Sequence, residues 1–228
     1  MIIIVGGMFR SGSTFSFNIV RELLEAKAPT LSSLKTPHES ITELAAGCKH
    51  LVVKTHTPDE PSKRMIELGA IKCICTFRSP EDAITSWMNT FGFSLDESIQ
   101  SFREWINWHQ QLSQLTLNIN YSQIENHPLL CILRIQYFLF GRMNLFEALR
   151  LNKKYNKQAI KSKYKELPEG NDTQNIGFSH YDKQTYFHRR HISENTTACT
   201  EENRSIIRLA FSDLIDTQGR YIPIPKKS

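Results

Sequence analysis

Three short stretches of this chain carry residues suited to holding anions and moving a proton. The first is Gly7-Met-Phe-Arg-Ser-Gly-Ser-Thr14, which follows an apolar run and opens an amphipathic stretch. A glycine-rich turn from strand to helix aims successive backbone N–H groups and the helix N-terminus at one point, a cradle for a phosphate-like anion. Its Gly-x-x-x-x-Gly spacing matches a nucleotide-binding loop, but Ser13 stands where that motif needs lysine. Arg10, inside the loop, is an alternative cation whose guanidinium forks two oxygens of a phosphate or sulfate. Neither of the next two apolar runs ends in Asp or Glu, so the acid that would hold a nucleotide's metal ion is missing too. These residues predict binding of a phosphate-like group without ATP hydrolysis.

The second stretch, Leu51-Val-Val-Lys-Thr-His56, sets Lys54 and His56 two residues apart. In extended chain their side chains share one side. Both fall at the carboxyl end of a parallel strand, where open α/β sheets bind ligands. A histidine there can take a proton from a hydroxyl or amine, and the lysine can stabilise charge on a leaving group. The third stretch ends a strand in Phe77-Arg78 and places Ser86 on the following helix, on the face of Asp82. Arg78 with Ser86 forms a second phosphate clamp, although Arg78 has Glu81 and Asp82 close by as alternative partners. Two anion sites on adjacent strand ends suit a nucleoside carrying phosphates at both ends.

The elements that position these groups alternate strand and helix. Apolar runs at 2–5, 51–53, 71–77 and 117–121 read as strands, the first buried on both faces. Helices are expected over about 14–26, from the capping box Thr36-Pro-His-Glu39, from Thr57-Pro-Asp-Glu60, from Ser79-Pro-Glu-Asp82, and from Ser94-Leu-Asp-Glu97 to about residue 115. This order predicts an α/β, three-layer P-loop-like fold with a central parallel sheet flanked by helices. Residues 128–151 and 200–217 read as helical, and the polar stretch 152–195 lacks periodicity.

The 228 residues, 40% hydrophobic, suffice for one core, and one domain is expected over 1–228, with a ligand-binding core at 1–130 and a helical, loop-rich remainder at 131–228. A net charge of +5 favours anionic ligands without demanding nucleic acid. No apolar run approaches the ~20 residues that span a bilayer, and no basic leader precedes residues 2–5. The expectation is a cytoplasmic protein without membrane or nucleic-acid partners. Its five cysteines follow no metal-ligand spacing; Cys73 and Cys75 share one strand face as packed thiols.

Four blocks in order resemble the sulfotransferases that use 3′-phosphoadenosine 5′-phosphosulfate (PAPS): Arg10-Ser-Gly-Ser-Thr-Phe15, Lys54-Thr-His-Thr-Pro58, Phe77-Arg-Ser-Pro-Glu-Asp82 with Ser86, and Tyr121-Ser-Gln-Ile-Glu-Asn-His-Pro128. The resemblance implies sulfonate transfer from PAPS to a hydroxyl or amine acceptor, releasing adenosine 3′,5′-bisphosphate (PAP), with no metal. The acceptor hydroxyl or amine is expected on a small molecule, a glycan or a peptide. The resemblance also implies that Arg10, Ser11, Gly12, Ser13 and Thr14 hold the 5′-phosphosulfate and that Phe15 lies against adenine. It further implies that Lys54 steadies the departing oxygen, with Arg10 assisting, and that His56 is the general base. Arg78 and Ser86 would bind the 3′-phosphate, with Tyr121 near the adenine. The family's late Arg-Lys-Gly segment is absent; His188-Arg-Arg-His-Ile-Ser193 is the best substitute, with Arg189 or Arg190 as the contact.

A P-loop nucleotide or small-molecule kinase and a non-catalytic nucleotide-binding protein are the competing readings. Acceptor identity is not inherited from the resemblance. Trp87, Phe91, Phe93, Trp105 and Trp108 read mostly as core, with a pocket for an apolar acceptor as the alternative.

Overall fold

The computed structural model describes residues 1–34, 41, 45–164, 187, 199–216 and 218–223. The Thr36–Glu39 capping box, Arg189 and Arg190 lie outside the described residues. Strands β1 (Ile2–Val5), β2 (Thr30–Leu34), β3 (His50–Lys54), β4 (Lys72–Phe77) and β5 (Thr116–Asn120) form one parallel sheet in the spatial order β2-β3-β1-β4-β5. The most apolar strand takes the centre. β1 pairs with β3 through Ile2–Leu51 to Val5–Lys54 and with β4 through Ile3–Lys72 to Val5–Ile74. The predicted α/β architecture is the one observed.

Strand pleating builds two cores from these short runs. Ile3, Val5, Val52 and Ile74 project to one face, where they meet α1 (Ser13–Glu25), α6 (Pro128–Phe140) and α7 (Leu145–Tyr155). Ile4, Leu51, Val53, Cys73, Cys75 and Phe77 project to the other, against α2 (Glu60–Glu67), α3 (Pro80–Phe91), α4 (Leu95–Leu112) and α9 (Glu201–Ala210). Cys73 and Cys75 lie on one face with sulfurs 3.8 Å apart, buried as free thiols. Trp105, fully buried on α4, is a centre of the second core. Trp105→Ala should lower unfolding free energy by about 3–5 kcal/mol in a denaturant titration.

The structure adds elements that periodicity alone missed. β2 is an edge strand of sequence Thr-Leu-Ser-Ser-Leu, mostly half-buried, so it carries no apolar run to read. The helix expected over 128–151 is two helices. Gly141 ends α6 in a left-handed conformation, and the Asn144 side chain accepts from Glu147 N to start α7. α8 (Lys157–Tyr164) lies in the stretch that showed no periodicity. The cap of α2 is Asp59, which accepts from Ser62 N at 3.0 Å, not Thr57. α5 (Tyr121–Asn126) follows β5 directly, and the C-terminal helix ends at Ala210 rather than near residue 217. Arg204 and Arg208 of α9 pair with Glu81 on α3 at 2.8 and 2.7 Å, pinning the helix that carries Ser86.

Candidate functional site

The loop leaving β1 continues the sheet before it turns. Gly6 N donates to Ile74 O and Met8 N to Thr76 O. The Ser11 hydroxyl, fully buried, sits 2.5 Å from Met8 O and within 2.9 Å of both Thr76 oxygens. Its side chain therefore ties the loop to β4 and is not free to face a ligand. At Gly7 a methyl group would collide with Thr76 and Ser13, so no other residue fits. Gly12 has φ 85°, caps α1, and packs its backbone against Ile124 and Tyr121 of α5. Arg10 has φ 58°, alone in positive φ among the described non-glycine residues. Holding an arginine there costs about 1–2 kcal/mol, the kind of local strain that gathers at functional sites.

That strained backbone aims a cation. Arg10 Nε donates to Ser86 Oγ at 3.0 Å, and its guanidinium lies 5.9 Å from the Phe91 ring. Burial, partly countered by Tyr121 and reinforced by Arg78, lowers its pKa to about 10. Lys54, the last residue of β3, donates from Nζ to Thr14 Oγ1 at 2.8 Å. Burial, then the neighbouring Arg10 charge, bring its pKa down to about 8. Arg78 sits 4.5 Å over the Tyr121 ring, and its Nε is 3.7 Å from Asp82. Of its two nearby acids, Glu81 is committed to α9. Arg10, Lys54 and Arg78 thus converge at the carboxyl ends of β1, β3 and β4. Mutual repulsion among these half-buried cations is what a polyanionic ligand would relieve.

His56 completes the cluster. Its Nδ1 is 2.6 Å from the Gly7 carbonyl, which can only accept, so Nδ1 carries the hydrogen and Nε2 keeps its lone pair. Burial and then the Lys54 charge push its pKa down to about 4, against the raising effect of the Gly7 hydrogen bond. The imidazole is therefore neutral at working pH. Phe9 stacks on its ring at 4.1 Å and 27°. Trp108 donates to the His56 carbonyl at 3.1 Å and Trp105 to the Gly6 carbonyl at 3.2 Å, so α4 grips the backbone on both sides of the site.

Most of the residues singled out from the sequence come together here: Arg10, Gly12, Ser13, Thr14, Lys54, His56, Arg78, Ser86 and Tyr121. The Ser11 side chain, tied to β4, is one exception, and Phe15 is the other. It is 5% exposed within the core on the α1 side of the sheet, so its ring presents no open face for stacking. The physical reason is that α1 is buried from Ser13 through Leu24, which turns its first aromatic inward. Phe9 carries no signal in the sequence, because a phenylalanine inside a glycine loop has no periodicity to betray it. Of the aromatic stretch, Trp105 and Trp108 are core, as expected. Trp87 and Phe91 are half-buried and Phe93 is exposed, and they continue outward from Phe9, with Phe9–Trp87 at 4.4 Å and Trp87–Phe93 stacked at 5.0 Å.

No protein-family model and no curated protein sequence matches the chain. Solved structures do. The crystal structure of mouse sulfotransferase SULT7A1 complexed with PAP aligns with a TM-score of 0.68 and 13% identity, over 96% of this chain and 86% of that one. Retinol dehydratase aligns at a TM-score of 0.56 and 18% identity, in complexes with retinol and PAP and with androsterone and the inactive cofactor PAP. These alignments cover 97% and 98% of this chain and 83% of each retinol dehydratase chain. At such identities the shared property is architecture: the chain has the α/β fold of the sulfotransferases.

Proposed function

We propose that the protein is a PAPS-dependent sulfotransferase that moves a sulfonate group to a hydroxyl or amine acceptor and releases PAP. The observation that carries this is the pairing of a neutral His56, its Nδ1–H committed to Gly7, with Lys54 and Arg10 beside it. His56 Nε2 takes the acceptor's proton as the acceptor oxygen or nitrogen bonds to sulfur. The bond from sulfur to the bridging phosphate oxygen breaks, and that oxygen keeps the electron pair. Lys54 and Arg10 stabilise the charge it gains. The loop backbone with Ser13 and Thr14 holds the 5′ end of the donor, and Arg78 with Ser86 holds the 3′-phosphate. Tyr121, beneath Arg78, sides the adenine. Arg189 or Arg190 is assigned a further 3′-phosphate contact on the sequence pattern alone.

The aromatic wall from Phe9 through Trp87 to Phe93 starts at His56, which favours an apolar or aromatic acceptor. The bound retinol and androsterone of the retinol dehydratase complexes are of that chemical kind. We assign the reaction to the cytoplasm.

The test is release of PAP from PAPS in the presence of phenols and apolar alcohols, with a chelator in a parallel series. Turnover unaffected by the chelator is expected. Thermal stabilisation by magnesium–ATP but not by PAP would overturn the assignment in favour of a kinase. Arg78→Ala should weaken PAP binding about ten- to hundredfold by calorimetry, the worth of a charge-assisted contact. An unchanged affinity would remove Arg78 from the 3′-phosphate.

The pH dependence follows from the two shifted groups. Below about 4 His56 is protonated and loses the lone pair it needs; above about 8 Lys54 loses its charge. The expected kcat/KM profile is flat between these limits and falls on both sides. An acid limb at the ordinary histidine value of 6.5 would show that the base is another, more exposed group.

A further inference from the structure

The positive charge of this protein is concentrated in one segment. Residues 128–164 hold eight lysines and arginines and one acid, Glu147, a net +7 against +5 for the whole chain. This segment forms α6, α7 and α8. Its single acid is half-buried and accepts from Gln136 at 3.1 Å; from neighbouring elements Glu22 pairs with Arg150 and Lys154, and Glu125 with Lys157, so these three cations are partly neutralised.

The turn joining α6 to α7, Gly141-Arg-Met-Asn144, and the first residues of α7 expose apolar side chains. Residues 141–146 are all exposed, with Met143 61% and Phe146 86% accessible. Tyr137, 62% accessible, lies one turn before this tip, and exposed Leu145 and Leu149 share a face of α7. Isolated exposed apolar side chains are ordinary, but here five gather between Tyr137 and Leu149, on either side of one turn. Exposed Arg142 and Lys153 border it, the latter on the face of Phe146 two turns on.

The tip points away from the proposed active site. Lys72, the first residue of β4, donates to the Phe138 and Leu139 carbonyls near the end of α6, whereas Arg78 follows the last residue of β4. The patch thus sits at the opposite edge of the sheet from the loop, Lys54 and His56. Two copies meeting through this face would bring two strongly positive segments together. A polyanion such as nucleic acid would satisfy the charge but leave the protruding Phe, Met and Leu side chains in water. Apolar side chains rimmed by Lys and Arg match the interface of an anionic bilayer, where the chains enter the headgroup boundary and the cations meet lipid charge.

We infer that the α6–α7 tip docks the protein on an anionic membrane surface, with Met143, Leu145 and Phe146 entering the interface and Arg142 and Lys153 facing lipid headgroups. This is peripheral binding: among the described residues no helix is long and apolar enough to cross a membrane. Docking by this edge leaves the site mouth open to solution.

Co-sedimentation of the full chain with phosphatidylcholine vesicles, with and without phosphatidylserine, tests the inference without reference to catalysis. Binding is expected to the phosphatidylserine vesicles, and salt should release it. Phe146→Ser with Met143→Ser, and separately Arg142→Glu with Lys153→Glu, should each weaken binding roughly tenfold or more, at unchanged thermal stability. Failure of the intact protein to bind, or wild-type binding by both variants, overturns the proposal. So does sedimentation velocity showing a dimer that the Phe146→Ser, Met143→Ser variant converts to a monomer, because the occupant is then a second copy. Tighter binding to DNA than to vesicles, retained by the Ser variant, would equally overturn it.

Discussion

His56→Ala should lower turnover by roughly 10²–10⁴-fold while PAP binding stays close to that of the unaltered protein. The imidazole is held by three separate features: its Nδ1–H donates to Gly7 O, its ring stacks on Phe9, and its own carbonyl accepts from Trp108. None of these is an anion contact, so deleting the side chain should remove a proton acceptor without dismantling the phosphate cradle. The split between kcat and PAP affinity is therefore the informative readout. Steady-state turnover with a cognate acceptor and calorimetry with PAP measure the two sides. Near-normal turnover would refute the assignment of the base; equal loss of both would mean that His56 is part of the binding surface instead. Phe9→Leu, which removes the stack but keeps an apolar side chain, should lower kcat by a smaller factor and move the acid limb upward as the imidazole gains solvent.

Lys54→Met is the second large effect. Methionine preserves most of the stem and deletes the ammonium, so kcat should fall about 10²–10³-fold, as when one stabilising donor is taken from a transition state. Lys54→Arg should not restore it, because a planar fork does not reproduce a compact ammonium seated on Thr14 Oγ1. The stability change should run the other way. Lys54 is a half-buried cation facing Arg10, and desolvation together with that neighbouring charge depresses its pKa to about 8. Removing it relieves both burial of charge and like-charge repulsion, so the melting temperature should hold or rise. A group whose loss costs activity but not stability is retained for chemistry. A fall in melting temperature together with preserved kcat would make Lys54 a structural residue.

Legibility in the sequence followed the strength of the local signal. β1, β3 and β4 were readable because a central parallel strand is apolar on both faces. The edge strand β2 was not, since half-buried Thr-Leu-Ser-Ser-Leu carries no such run. Caps with short-range hydrogen bonds were readable to within a turn: Ser94 with Glu97 forms a complete capping box, whereas the α2 cap lay two residues beyond Thr57, at Asp59. For the site, Arg10, Lys54, His56 and Arg78 were legible as cations and a base at strand ends. Ser11 and Phe15 resembled ligand contacts in their motif, yet their side chains face the interior. A linear motif does not say which way a side chain turns at the start of a helix buried on all sides.

By itself the sequence determined which chemistry was affordable: a glycine loop without the Walker lysine, cations and one histidine at the ends of apolar strands, and no acid to hold a metal ion after them. These are properties of residue type and spacing along one strand or turn, and they survive without knowledge of neighbours. The tertiary structure decided everything that depends on groups far apart in the chain. Gly7 and His56 are 49 residues apart, yet their contact selects the tautomer that leaves Nε2 basic. Arg10 and Ser86 are 76 residues apart, and the parallel order β3-β1-β4 is what brings their strand ends side by side. The same sheet set the direction of α6, so the charged, apolar tip of the α6–α7 turn faces away from the loop. Burial, repulsion and tautomer are properties of a neighbourhood, and only folding creates one.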